Sequence, residues 1–107
     1  MTEFDPEKFE DKYVHYFEEL EEAYSNAYNQ LHGQYDSQVL KAIDRKVLSE
    51  SEPFYDGDGE FRVEIPDDAR ERVGAVADHE QFEVVLEELV ERIERELRRI
   101  FGFESTD

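Results

Sequence analysis

An apolar stripe near the C-terminal end of the sequence restricts the fold more than any other feature. Its members recur at steps of three and four residues, which places them on one face of an amphipathic helix. The stripe consists of Phe82, Val85, Leu86, Leu89, Val90, Ile93, Leu97, Ile100 and Phe101. Such a helix is stable only when that face packs against another element, so the rest of the chain must supply a partner face.

The ends of this helix are also predicted from the sequence. Asp78 is placed to cap its first turn, with Gln81 as the partner in a capping box. Gly102 is placed to end it in a left-handed conformation, which turns Phe103 back toward Leu97 as in a Schellman motif. Residues 67–77, before the helix, are predicted to be a linker with one helical turn around residues 70–73.

A first long helix is predicted near the start of the chain. Asp5 and Pro6 are typical of a helix start, Phe4 is placed to pack on Phe9 across the cap, and Gly33 supplies the stop. The helix spans about 26 residues, or about 39 Å. Its apolar face consists of Phe9, Tyr13, Tyr16, Phe17, Leu20, Ala23, Tyr24, Ala27, Tyr28 and Leu31.

A shorter helix and a hairpin are predicted between the two long helices. Asp36 caps the short helix, whose apolar positions are Val39, Leu40, Ile43, Val47 and Leu48. The period then changes to two, because Phe61, Val63 and Ile65 alternate with charged residues, as in a half-buried strand. The turn at residues 56–59, Asp-Gly-Asp-Gly, predicts a hairpin with residues 54–55 on the other strand.

These elements predict a helix-dominated α+β fold in the order α-α-β-β-α: two long helices and a shorter one packed with a two-stranded hairpin. We expect a single domain, residues 1–107, with flexible tails at residues 1–4 and 104–107. A two-stranded hairpin is marginal in water, so it must pack on the helices or pair with the hairpin of a second copy. A homodimer is therefore expected.

The charge of the chain indicates its solvent. Thirty Asp and Glu against twelve Lys and Arg give a net charge of -18, and such self-repulsion is tolerable where molar salt shortens the Debye length to about 3 Å. The aromatic content, eight Phe and six Tyr, argues against disorder. The sequence has no signal peptide pattern and no long apolar run. We expect a cytoplasmic protein of a halophile and neither a membrane nor nucleic acid as partner.

Three segments resemble a family of uncharacterised small acidic proteins from halophilic archaea. The segments are FDPEKFEDKYVHYFEELEEAY at residues 4–24, VLSESEPFYDGDGEFRVEIP at residues 47–66 and ELRRIFGFE at residues 96–104. The resemblance spans residues 4–104 and implies a haloarchaeal cytoplasm. It implies no activity, ligand or functional residue, because none is associated with that family.

The sequence contains no recognised spacing of metal ligands. His15 lies one helical turn from both Asp11 and Glu19, but acidic residues are so frequent that some flank any histidine, and a solvated His15 is favoured. The loop with Asp56, Asp58 and Glu60 lacks the glycine and glutamate positions of an EF-hand loop, so turn chemistry is favoured over a cation site. We predict no catalytic, cofactor-binding or metal-binding residue and no cofactor, and the chain is not expected to be an enzyme.

Other polar and aromatic groups leave two interpretations open. Arg92, Arg95 and Arg99 lie on one face of the last helix and are the candidates for contact with a partner, although pairing within the helix, such as Glu88 with Arg92, is the alternative. A second basic group consists of Lys41, Arg45 and Lys46. The tyrosines at positions 13, 16, 24, 28 and 35 are candidates for a ligand pocket, but core packing is favoured.

The function that the sequence favours is a non-enzymatic interaction or regulatory module with an unidentified protein partner. The alternative is a small-ligand-binding protein or enzyme with a pocket between the helices and the hairpin. A closed cavity with converging polar groups would favour the alternative. A packed core with an exposed apolar patch beside the hairpin or Arg92 would favour the module.

Overall fold

The computed structural model describes residues 4–74 and 79–103. Helices dominate this part of the chain, and a two-stranded antiparallel sheet packs on them. In chain order the elements are α1 (Pro6–Phe9), α2 (Lys12–His15), α3 (Phe17–Leu31), α4 (Ser37–Lys46), a 3₁₀ turn (Leu48–Glu50), β1 (Glu52–Gly57), β2 (Glu60–Glu64), α5 (Ala69–Val73) and α6 (His79–Ile100). This confirms the predicted helix-dominated α+β class and, apart from the divided first helix, the predicted order of elements.

The predicted first long helix is divided into α1, α2 and α3, so its continuity was predicted wrongly. The chain leaves the helical conformation at Asp11 (φ -110°, ψ 45°) and again at Tyr16 (φ -129°, ψ 23°). The second break lets Tyr16 turn inward, where its hydroxyl accepts a hydrogen bond from the Asp5 N–H at 2.9 Å. The predicted start holds, because the Asp5 side chain accepts from the Glu7 N–H and Phe4 packs on Phe9.

The predicted hairpin is present, with Tyr55 opposite Phe61 and Pro53 opposite Val63. Asp58 and Gly59 form its two-residue turn, with φ of 53° and 77°. Two positive φ values in succession are typical of the type I′ turn, whose twist matches that of the flanking strands. An irregularity in register between Tyr55 and Gly57 accommodates Asp56 as an extra residue of β1.

The outer edge of the hairpin is held by α6. Val63 lies opposite Pro53 in the sheet. The backbone N–H of Val63 donates to the Glu94 carboxylate at 2.9 Å. Phe61 and Val63 are buried against the helices. Of the two alternatives predicted for the hairpin, packing on the helices of the same chain is therefore present for these two side chains. The homodimer stays a prediction.

The long helix α6 packs against α3 and forms the centre of the core. Leu89, Ile93 and Leu97 are fully buried, as the stripe predicted. Its end is the predicted Schellman motif: the Phe103 N–H donates to the Arg98 carbonyl at 2.7 Å and the Gly102 N–H to the Arg99 carbonyl at 3.2 Å. The predicted cap at Asp78 lies outside the described residues.

An aromatic cluster joins the two ends of the described chain to the hairpin. It consists of Phe4, Phe9, Tyr16, Tyr55, Phe61, Phe101 and Phe103. Phe4 lies at its centre, with ring centroids 4.8 Å from Tyr55 and 4.9 Å from Phe101. Phe103 stacks on Tyr55 at 5.8 Å, so its ring packs on the hairpin.

Candidate interaction surface

Three large apolar side chains lie exposed on α2 and the start of α3. Tyr13 is 55 % exposed, Val14 79 % and Phe17 55 %. Tyr13 and Phe17 were predicted to be in the core, and both predictions were wrong. The break at Tyr16 changes the helical phase, so that Tyr16 and Leu20 face inward while Tyr13 and Phe17 face solvent. We call Tyr13, Val14 and Phe17 the exposed patch.

A groove of about 270 Å³ runs beside the exposed patch. It lies between the α2–α3 segment and the chain that enters β1, and it is open to solvent. Its lining is largely apolar and aromatic, and consists of Tyr13, Phe17, Leu20, Glu21, Tyr24, Leu48, Ser49, Ser51 and Pro53. An open apolar groove next to exposed aromatic side chains is typical of a surface that receives a side chain of another protein.

Two polar groups in the groove, Tyr24 and Ser51, form hydrogen bonds within the protein. The Ser51 hydroxyl donates to the Leu48 carbonyl at 2.7 Å, so the 2.9 Å contact between Tyr24 and Ser51 is a hydrogen bond donated by the tyrosine. Burial raises the pKa of Tyr24 to about 12. Tyr24 therefore stays protonated at neutral pH and is a structural donor rather than an acid–base group.

A buried lysine, Lys12, contacts the ring of Tyr13 in the exposed patch. Lys12 is only 4 % exposed, and its Nζ lies 2.8 Å from a carboxylate oxygen of Glu52 on β1. The ammonium also lies 4.9 Å from the ring centroid of Phe54 and 5.4 Å from those of Phe9 and Tyr13. This ion pair and the surrounding rings fasten α2 to the hairpin.

The arginines predicted to contact a partner lie mainly along the α3–α6 interface. Arg99 donates to the buried Glu96 at 2.8 Å and lies 3.8 Å from Glu22 on α3. Arg92 donates to Gln30 on α3 at 3.1 Å and lies 3.7 Å from Glu88, which confirms that predicted pair within the helix. Arg95 is exposed on α6.

Glu96 is the centre of this polar interface, and its burial was not predicted. It is 6 % exposed and accepts hydrogen bonds from Asn26 at 2.9 Å, Gln30 at 3.2 Å and Arg99. Burial raises the pKa of the Glu96 carboxyl, but these hydrogen bonds outweigh the burial and hold the pKa below its ordinary value. Two neighbouring charges of α6 reach the hairpin, because Glu94 accepts from the Val63 N–H of β2 and Arg98 lies 3.6 Å from Glu60.

The residues considered as metal ligands are placed apart or paired with cations. His15 and Asp11 belong to α2 and its start, whereas Glu19 lies on α3 beyond the break, so the three do not share one helix face. In the hairpin turn, both Asp56 oxygens accept from the Arg62 Nε at 3.2 Å. Among the described side chains, no group of three His, Asp or Glu is placed to hold a metal ion.

The second basic group lies on the solvent side of α4. Lys41, Arg45 and Lys46 are exposed, and within residues 4–74 and 79–103 they form no ion pair. Arg45 and Lys46 occupy the last turn of the helix, where cations interact favourably with the helix dipole. The dipole accounts for both positions without a ligand.

One signal in the sequence could have revealed the exposed patch. The segment 13–17 is Tyr-Val-His-Tyr-Phe, with four large apolar residues among five. A single helix face cannot bury adjacent pairs such as 13–14 and 16–17 together, so some of these side chains must face solvent or the helix must break. Both occur here.

The chain matches the model of a family of unknown function (DUF5783) over residues 1–104 and belongs to that family. No curated protein and no solved structure is similar to it. In the described part of the chain, no helix combines the length and the apolar character needed to cross a membrane.

Proposed function

We propose that this chain is a non-enzymatic interaction module that binds a protein partner through the exposed patch and its groove. The observation that carries the proposal is the solvent exposure of Tyr13, Val14 and Phe17 side by side, on a chain that buries the stripe of α6 almost completely. Exposed aromatic and aliphatic side chains beside an apolar groove are typical of the anchors of protein interfaces. This patch, rather than Arg92, Arg95 and Arg99, is the contact surface we favour, because Arg92 and Arg99 already bind α3.

The alternative, a small-ligand pocket or active site, has less support. A ligand pocket places unsatisfied polar groups in a concave apolar site. In the groove described here, Tyr24 and Ser51 use their hydroxyl hydrogens within the protein.

We propose further that the module acts in a salt-rich cytoplasm. The net charge of -18 on 107 residues supports this environment, because concentrated salt screens the repulsion that such a charge creates.

Site-specific photocrosslinking in lysate of the native host at molar KCl tests the proposed function. A photoreactive amino acid replaces Val14 in one variant and Glu91, an exposed residue of α6, in the control variant. We expect a defined protein adduct from position 14 that is absent from position 91 and that Phe17→Ser removes. Adducts of equal yield from both positions, or none from position 14, would contradict the proposal.

A further inference from the structure

The surroundings of the exposed patch are more acidic than the chain as a whole. Residues 10–22 contain six acidic residues and one lysine, a net charge of -5 over 13 residues, against -18 over 107 for the whole chain. The lysine is Lys12, which is buried and bound to Glu52. It therefore does not offset the local negative charge on the solvent side.

Two of these acidic residues lie beside the patch and face solvent. Glu21 lines the groove, one helical turn after Phe17 on α3, and Glu18 is exposed on the same turn. In the described part of the chain neither carboxylate forms an ion pair or a side-chain hydrogen bond. The apolar groove thus has an acidic margin whose charges are available to a partner.

We infer that the partner segment inserts apolar side chains into the groove and places Lys or Arg beside Glu18 and Glu21. This inference rests on the proposed function and names the chemistry of the partner. A second copy is a poorer occupant, because a symmetric contact of patch with patch places the acidic residues 10–22 of both copies in direct contact and offers no cation opposite Glu18 and Glu21. A cationic amphipathic segment meets both the apolar groove and its charged margin.

Three designed helical peptides serve as probes for this inference. The first carries an apolar stripe flanked by lysines, the second carries the same stripe flanked by glutamates, and the third has the composition of the first with the stripe scrambled. Affinity is measured with the full chain, with Phe17→Ser and with Glu18→Gln/Glu21→Gln. The matched control is Glu87→Gln/Glu91→Gln, which removes the same charge from a different groove on α6.

We expect the lysine-flanked peptide to bind most tightly to the unmodified chain. Because two exposed ion pairs are lost, Glu18→Gln/Glu21→Gln should weaken its binding by about three- to ten-fold, whereas the control pair changes it less than about two-fold. Phe17→Ser should weaken the lysine-flanked and glutamate-flanked peptides alike, because it removes the apolar anchor that both use.

The remaining outcomes separate the inference from the proposed function. If Glu18→Gln/Glu21→Gln and the control Glu87→Gln/Glu91→Gln weaken binding of the lysine-flanked peptide equally, the net charge alone attracts it. That result would overturn the inference. Equal affinity of the lysine-flanked and glutamate-flanked peptides, still sensitive to Phe17→Ser, would overturn it while the apolar surface stands. If Phe17→Ser changes the affinity of none of the peptides, the exposed patch and its groove do not bind them. That result would contradict the proposed function. A dimer that forms at molar KCl and is lost in Phe17→Ser would identify a second copy as the occupant and overturn the cationic partner.

Discussion

Lys12 and Glu52 form an ion pair whose two members differ in solvent exposure. The loss of one member therefore costs a different free energy of unfolding from the loss of the other. Lys12 is buried beneath the rings of Phe9, Tyr13 and Phe54, whereas the Glu52 side chain is 48 % exposed. Loss of the lysine leaves a carboxylate that water can solvate. Loss of the glutamate leaves an ammonium buried without its counter-charge, which costs more.

We therefore predict that Glu52→Ala destabilises the protein more than Lys12→Met. Because Glu52 is partly solvated, Lys12→Met should cost about 1 kcal/mol, and Glu52→Ala about 2–3 kcal/mol. The double variant should cost less than the sum of the two, since removal of the ammonium also removes the penalty. Urea unfolding of the four proteins measures the coupling. Strict additivity would show that the two groups do not interact in solution.

Glu96 gives the protein a specific dependence on pH. Its folded-state pKa lies below the ordinary value of 4.5, so its contribution to stability is complete above about pH 4.5 and is lost as the pH falls through the lower folded-state value. Glu96→Gln should cost about 1–2 kcal/mol at pH 7. The difference from the unmodified protein should shrink at about pH 3. A difference that stays constant between these pH values would exclude this role of the Glu96 carboxylate.

At the scale of elements, the contact between the hairpin turn and the end of α6 is tight. A Cβ at Gly59, where φ is 77°, would lie 3.0 Å from the nearest ring atom of Phe103, whereas a Cβ at Gly57 would meet nothing within 4 Å. Both glycines have positive φ, so alanine costs conformational energy at each. At Gly59, unlike Gly57, an added Cβ would also press against the Phe103 ring, which follows α6.

Gly57→Ala should therefore cost about 1 kcal/mol, and Gly59→Ala about 1 kcal/mol more, because the Phe103 ring must move. Chemical denaturation of each variant with and without Phe103→Ala checks the cause. The excess cost at Gly59 should disappear when the ring is absent. An excess that persists in the Phe103→Ala background would mean that the turn alone is responsible.

The regular elements could be predicted from the sequence because their signals are local. The stripe of α6, the Asp-Gly turn and the caps at Asp5 and Asp36 depend on neighbours a few residues away, and the structure confirms them. The break at Tyr16 could not be predicted in the same way. It depends on the hydrogen bond of Tyr16 with Asp5 and on its packing against Phe101, which are distant in sequence or need the folded core.

The candidate surface could not be predicted from the sequence for the same reason. Tyr13 and Phe17 belong to the core only if the first helix is continuous. The burial of Lys12 and Glu96 depends on partners on other elements. A charged residue gives no local sign that a distant hydrogen-bond partner allows its burial.

At the scale of the whole molecule, the net charge of -18 determines how stability responds to salt. Repulsion among the carboxylates opposes the compact state, and added ions screen it. We predict that the melting temperature and the helical circular dichroism signal rise from about 0.1 M to about 2 M KCl. Sodium and potassium chloride should act alike if screening is the cause. Equal stability at both concentrations would contradict the salt-rich environment proposed here.

The position of Phe4 in the aromatic cluster also determines when the protein can finish folding during its synthesis. The ring of Phe4 packs on Phe101 and Phe103, which the ribosome adds long after residue 4. Bringing these residues together closes a loop of nearly the whole chain, and contacts of such long range form late. While α3 and the hairpin emerge, the sides of Phe4 that pack on Phe101 and Phe103 therefore remain uncovered on the nascent chain. These two contacts form only after residues 101 and 103 have been synthesised.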